Sequence, residues 1–179
     1  PQDFSDLLNA LSDPQEFYTR PDESGKTYPR LSEKEADDIK FLFDQWSQFH
    51  EDGKLIIRPH RFWTAAGGYW RMPSVAPELF DDLKQSELVL FKGDLNYRKL
   101  VNDAAWDPTT PFTTAIGPLG PKSGIRVLAF RTCKADTVVG LPPGEDERLR
   151  MMPDGGGTES RKWAWTGKWA VVSFSDGKA

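Results

Sequence analysis

Four short apolar runs constrain this chain most: LIIR (55–58), LVLF (88–91), RVLAF (126–130) and AVVSF (170–174). Each is too short for a core helix and rich in branched residues, so each reads as a buried strand. Segments of helical spacing separate some of them. Pro77 opens PELFDDLKQS, which sets Leu79, Phe80 and Leu83 on one face and runs directly into LVLF. RKLVND adds a helical turn beyond Tyr97, ahead of a Pro/Gly-rich loop and RVLAF. Helix alternating with strand predicts an α/β fold class: a three-layer α/β/α arrangement with a mostly parallel sheet and helices on both faces. VVGL (138–141) is a further candidate strand, and the poorly alternating KWAVVSF reads as buried on both faces.

The first part of the chain is helical. Phe4, Leu7, Leu8 and Leu11 share one face after a possible Asp3 cap, and Pro14 is expected to stop that helix. TRPDESGKTYP has charges and turn formers without periodicity, which predicts a surface loop. Ser32 and Glu35 then form a capping box for a helix carrying Ile39, Leu42, Phe43, Trp46 and Phe49, closed by Asp52-Gly53. HRFWTAAGGYWRMP reads as irregular structure, more suited to packing than to walling a pocket. The polar run PPGEDERLRMMPDGGGTES is a loop, and its DGGG lacks the GK[ST] of a phosphate loop.

Composition excludes several classes. Lys plus Arg minus Asp plus Glu is 23 − 27 = −4, which gives no electrostatic reason to approach nucleic acid or a membrane. One Cys and two His cannot form a disulfide or a His/Cys zinc cage, so a reducing compartment is expected. No apolar run approaches the roughly 20 residues that span a bilayer, and the first residues lack the pattern of a signal peptide. The length suits one compact domain. Gly 15 plus Pro 14, with Pro at position 1, also fits a piece of a larger domain whose other part covers surface exposed here.

Chemistry-bearing residues gather after two of the strands. FKGDLNYRKL leaves a strand through Gly93 and presents Asp94, Asn96, Tyr97, Arg98 and Lys99. Ligands of open α/β sheets bind at such strand ends, where an acid, an amide and a guanidinium can address a metal, hydroxyls or a phosphate. The plainer reading makes Asp94 a helix cap in a solvated turn. RTCK (131–134) ends another strand, and its Arg131 and Lys134 can hold the oxygens of an anion or form a basic edge in solvent. Cys133 beside two cations is a nucleophile candidate, outweighed by a structural, buried thiol. His50 and His60 have no spaced partner and receive no role.

FKGDLNYRKL followed by RTCK resembles the damage-control phosphatases, in the branch that carries an RTxK motif and includes acidic-residue methyltransferase-like proteins. HRFWTAAGGYWRMP, APELFDDLKQSELVL and GKWAVVSF extend the resemblance, so residues 1–179 read as the C-terminal portion of the phosphatase domain, with 18–34 as an insertion loop. The resemblance implies a metal-dependent phosphatase acting on small sugar phosphates such as fructose 1-phosphate and fructose 6-phosphate. It implies Mn2+, or Mg2+, Co2+ or Ni2+, held by an Asp-Asn pair and a further Asp upstream of Pro1, with no metal ligand in this chain. Substrate binding falls on Asp94, Leu95, Asn96, Tyr97, Arg98 and Lys134, catalysis on Asp94 and Lys134, and the motif on Arg131, Thr132, Cys133 and Lys134. The implied partners are a phosphorylated sugar and the N-terminal part of the same protein, in the cytoplasm or also the nucleus. Two other readings stand beside it: an S-adenosylmethionine-dependent protein carboxyl methyltransferase, and a non-catalytic binding module.

Overall fold

Helix α3 (Glu33–Glu51) begins where the sequence places its cap: the Ser32 hydroxyl accepts from the Glu35 N–H, and the Glu35 carboxylate accepts from the Ser32 N–H at 2.8 Å. It ends at Asp52, where Gly53 takes a left-handed φ of 68°. The computed structural model describes residues 2–178 and divides into two units, Pro1–Arg61 and Phe62–Ala179.

The first unit holds α1 (Gln2–Ser12), α2 (Pro14–Thr19) and α3, with α1 and α2 both against α3. Pro14 does more than stop α1. It opens α2 at the first helical position, where its missing N–H costs nothing, and Asp13 caps that helix by accepting from the Glu16 N–H at 3.0 Å. Asp3 lies inside the first turn of α1 instead of capping it. The irregular stretch between the helices is 20–32, because Tyr18 and Thr19 close α2 while Glu33 and Lys34 open α3. Within it the Asp22 carboxylate accepts from the Ser24 hydroxyl, the Lys26 N–H and the Tyr28 hydroxyl, which holds its pKa down at about 2. LIIR is not a strand. The N–H groups of Lys54 and Leu55 both fold back to the Phe49 carbonyl, and Ile56 and Ile57 are exposed without a strand beside them. His50 Nδ1 lies 2.9 Å from the Leu55 carbonyl, and its ring meets Phe4 edge-on, a packing role.

The second unit is mixed α/β. α4 (Met72–Val75) and α5 (Pro77–Lys84) lead to β1 (Val89–Lys92), then α6 (Asp94–Leu100), α7 (Phe112–Ala115), β2 (Val127–Thr132), α8 (Glu145–Arg150) and β3 (Ala170–Ser175). The sheet runs β1-β2-β3, with β1 parallel to β2 as the helix between them requires. β3 is antiparallel to β2, so the sheet is mixed where a mostly parallel one is expected. VVGL buries Val138 and Val139 yet is not a strand, because its N–H groups go elsewhere: Val139 to the Tyr97 hydroxyl, Gly140 to the Thr110 carbonyl and Leu141 to the Pro108 carbonyl.

Paired residues share a face, and the two faces differ. Phe91, Val127 and Ala129 point into a core completed by Phe62, Tyr69, Met72, Leu100, Ile116 and Leu119. The aromatic loop therefore packs, with the Tyr69 and Phe91 rings 5.5 Å apart. The opposite face carries Leu90, Leu128 and Phe174 in one row and Lys92, Phe130 and Val172 in the next. Its Val172 is 68% exposed and Phe174 53%, which corrects the expectation that the last strand is buried on both sides.

Candidate functional site at the ends of β1 and β2

The site begins with a backbone requirement. Gly93 leaves β1 at φ 101° and ψ 160°, a region that only glycine occupies without strain, and this turns the chain at once into α6. Asp94 is thus the first residue of α6. Its side chain does not cap that helix: Asp94 Oδ1 accepts from Arg131 Nε at 2.8 Å and from the Lys134 N–H at 3.2 Å. The carboxylate after one parallel strand thereby fixes the chain leaving the other.

Arg131 is the centre of this arrangement. It shares parity with Val127 and Ala129, so the strand aims it inward, and its side chain is wholly buried. Besides Asp94, it donates to the Ala135 carbonyl through Nη2 at 2.7 Å and to the Thr137 carbonyl through Nη1. Its guanidinium lies 4.6 Å from the centroid of the Tyr97 ring. It therefore does not hold an anion. It shapes the 133–137 loop from within.

The other sequence candidates divide into anchors and free ends. Tyr97 is buried, accepts from the Val139 N–H at 3.2 Å and stacks on Phe112, and burial pushes its hydroxyl pKa up. Asn96 accepts from the Tyr69 hydroxyl at 2.6 Å and donates to the Lys92 carbonyl at 2.8 Å, tying α6 to the end of β1. Arg98 makes a two-pronged pair with Asp103 through Nε and Nη2, and those hydrogen bonds hold the Asp103 carboxyl below its usual range. Lys99 donates to the Trp63 and Ala65 carbonyls. Leu95 and Thr132 are exposed. Among the described residues, Asp94 Oδ2, Lys134 Nζ and Arg98 Nη1 have no partner. At the ends of β1 and β2 a shallow depression of about 190 Å³ is lined by Lys92, Gly93, Phe130, Arg131, Thr132 and the start of β3, and not by Asp94, Arg98 or Lys134.

Cys133 is fully buried against Val138, Leu149, Trp163 and Ala164, and burial raises its thiol pKa, so it is packing material and not a nucleophile. Cys133→Ser is expected to lower unfolding stability by about 1–3 kcal/mol through a hydroxyl in an apolar site. In the unmutated chain, a thiol reagent should label Cys133 only as fast as the fold opens. Rapid labelling of the folded protein would contradict this.

One cluster was not foreseen from the sequence. Asp146, on α8, accepts from Arg161 Nε at 2.8 Å, from Trp163 Nε1 at 3.0 Å and from Arg150 Nε at 2.9 Å. Burial alone raises its pKa, but the bonds from Arg161 and Trp163 and the nearby cations outweigh that and hold it below the usual range. Its stabilisation is complete above the ordinary aspartate pKa of about 3.9 and is lost as pH falls through the lower folded value. Arg150 lies at helical spacing, four residues on, but Arg161 and Trp163 are 15 and 17 residues from Asp146, beyond any local periodicity.

Among the described residues, no three His, Cys, Asp or Glu side chains converge as a metal site, and no helix is long and apolar enough to cross a membrane. These residues alone do not fit a bound divalent ion.

The carboxylate and the cations of this α/β unit thus gather at the carboxyl ends of neighbouring strands, the place where open α/β sheets bind their ligands. The chain is a member of the damage-control phosphatase ARMT1-like domain family, whose model matches residues 1–149. It is 34% identical over 166 residues to the human protein called damage-control phosphatase ARMT1, which covers 84% of this chain and 35% of that protein. The Danio rerio protein of the same name is 39% identical over 131 residues, 73% of this chain and 27% of its own length. The chain thus spans about a third of the length of these relatives.

Proposed function

We propose that this chain supplies the substrate-gripping part of a metabolite damage-control phosphatase that hydrolyses small sugar phosphates, with fructose 1-phosphate and fructose 6-phosphate as the substrates to test. The observation that carries the reading is the junction of Asp94 and Lys134. Two strand ends are locked together through Arg131 and the Lys134 N–H, and among the described residues the lock leaves one Asp94 oxygen and the exposed Lys134 ammonium without partners. The family membership supplies the reaction class.

In this reading Lys134 Nζ and Arg98 Nη1 meet the phosphoryl oxygens, where charge-assisted donors are strongest. Asp94 Oδ2 accepts from a sugar hydroxyl or from the attacking water, and Asn96 holds the strand end that positions it. The overall change is addition of water to phosphorus and cleavage of the phosphorus–oxygen bond to the sugar, giving the free sugar and inorganic phosphate. We place the divalent ion, Mn2+ as first choice, on residues outside this chain, since none of the described residues gather to hold one. We assign those ligands to the length that the relatives carry beyond the match, and the same portion is the proposed cover of the apolar sheet face of Leu90, Phe130, Val172 and Phe174.

The test is an assay of residues 1–179 alone on fructose 1-phosphate with added Mn2+, beside the full-length enzyme. No turnover is expected from 1–179, because the largest electrostatic contribution to the barrier is missing. Turnover by 1–179 would overturn the placement of the metal. A full-length enzyme inert on every sugar phosphate would overturn the phosphatase reading itself.

A further inference from the structure

We propose that Arg161 is a positioning residue for Lys134, acting through Asp136 from a segment that lies beyond the matched family residues; the inference rests on the reading above that Lys134 meets a phosphate. The Lys134 side chain is exposed and has no partner among the described residues, so its aim depends on the backbone that carries it. That backbone is clamped from two sides. Arg131 holds the carbonyls of Ala135 and Thr137 from within. From outside, Arg161 Nη1 donates to Asp136 Oδ1 at 2.8 Å while its Nε donates to Asp146 Oδ1, also at 2.8 Å.

Arg161 is itself rigidly held. Its side chain is 14% exposed and that of Asp146 9%, and Asp146 is pinned in turn by Trp163 and Arg150. Just before Lys134, the Cys133 N–H donates to the Trp169 carbonyl at 2.8 Å and the Gly167 N–H donates to the Cys133 carbonyl at 2.9 Å. Residues 161–169 therefore fix the loop on both sides of the lysine, although the family match covers residues 1–149. A surface ion pair between Arg161 and Asp136 alone would carry little weight. Here the guanidinium is already ordered by Asp146, so the bond to Asp136 adds constraint at small entropic cost.

Charge makes the test sharp. Asp136→Asn removes a negative charge close to the lysine, which by Coulomb attraction alone strengthens anion binding. Loss of positioning predicts the opposite sign. The experiment titrates inorganic phosphate into the 179-residue chain, following the Lys134 amide by NMR and hydrogen exchange at the Cys133 and Thr137 amides. Asp136→Asn leaves the Arg161–Asp146 core intact and is the primary variant. Arg161→Ala is the second. We expect Asp136→Asn to weaken phosphate binding about fivefold, with no further loss when combined with Lys134→Ala, a coupling of the size found between interacting residues. Exchange at Cys133 and Thr137 should rise about tenfold while β2 stays protected, as for a local opening. Unchanged or tighter phosphate binding in Asp136→Asn overturns the proposal. Unchanged phosphate binding in Lys134→Ala, with exchange at the loop still raised, identifies failure of the lysine assignment and leaves Arg161 a purely structural residue.

Discussion

Replacing Arg131 by alanine is expected to lower the unfolding free energy of the unit Phe62–Ala179 by about 3–5 kcal/mol, the range found when one member of a buried ion pair is removed. Its side chain is wholly buried and Asp94 is 16% exposed, so solvent cannot replace what is lost. The deletion takes the charged donor from Asp94 Oδ1, the Ala135 carbonyl and the Thr137 carbonyl, leaving Asp94 only the Lys134 N–H and Ala135 only the Thr137 N–H, and it removes the cation over the Tyr97 ring. Domains of this size have only about 5–15 kcal/mol of stability, so the variant should sit close to unfolding at room temperature. Arg131→Lys keeps a charge but not the planar fork that reaches three acceptors, and is expected to recover less than half of the loss. Urea titration followed by tryptophan fluorescence reads this directly, because every Trp but Trp46 lies in this unit. A loss below about 1 kcal/mol would mean that Arg131 is not the support described here.

The same residue shows how far the sequence can be read. RVLAFRT announces a strand, and position parity puts Arg131 on the face of Val127 and Ala129, so an inward arginine was available to a reading that counted by twos. A cation at a strand's carboxyl end can equally face a ligand, and nothing local to RTCK decides between the two. LVLF and AVVSF became strands because helices or loops return them to a common sheet, whereas LIIR found no neighbour and VVGL found a tyrosine hydroxyl and loop carbonyls instead. Apolar runs report what wishes to leave water and not which backbone will pair with them. For the same reason AVVSF gave its secondary structure but not its burial: nothing local tells whether Val172 and Phe174 are covered. Gly93 followed by Asp94 was legible, since a glycine between an apolar run and a polar cluster signals a turn into a site. The Asp146 cluster was not, because its partners meet only through the tertiary path of α8 and the segment after it.

The largest functional effect is expected at Lys134. If its ammonium meets the phosphate as charge develops on the phosphoryl oxygens, Lys134→Ala in the full-length enzyme should lower kcat/KM by about 2–4 kcal/mol, roughly a hundredfold to a thousandfold, as for other lost transition-state donors. Its fold should be nearly intact, because the exposed side chain touches nothing that it supports; the bond from Asp94 reaches its backbone N–H, which alanine retains. That separates it from Arg131, whose loss acts through stability. Arg98→Ala should cost less than Lys134→Ala, since Arg98 already shares its Nε and Nη2 with Asp103 and offers only Nη1. His60→Ala should leave the rate near its starting value, because His60 belongs to neither strand end. Steady-state kinetics on fructose 1-phosphate, with unfolding curves for each variant, distinguish these outcomes. A fall in kcat with KM little changed places the lysine contact in the transition state, and a rise in KM alone would make it a binding contact only. A Lys134→Ala enzyme with full kcat/KM would remove the lysine from the site, and the junction with Asp94 would then be a structural fastening of β1 to β2.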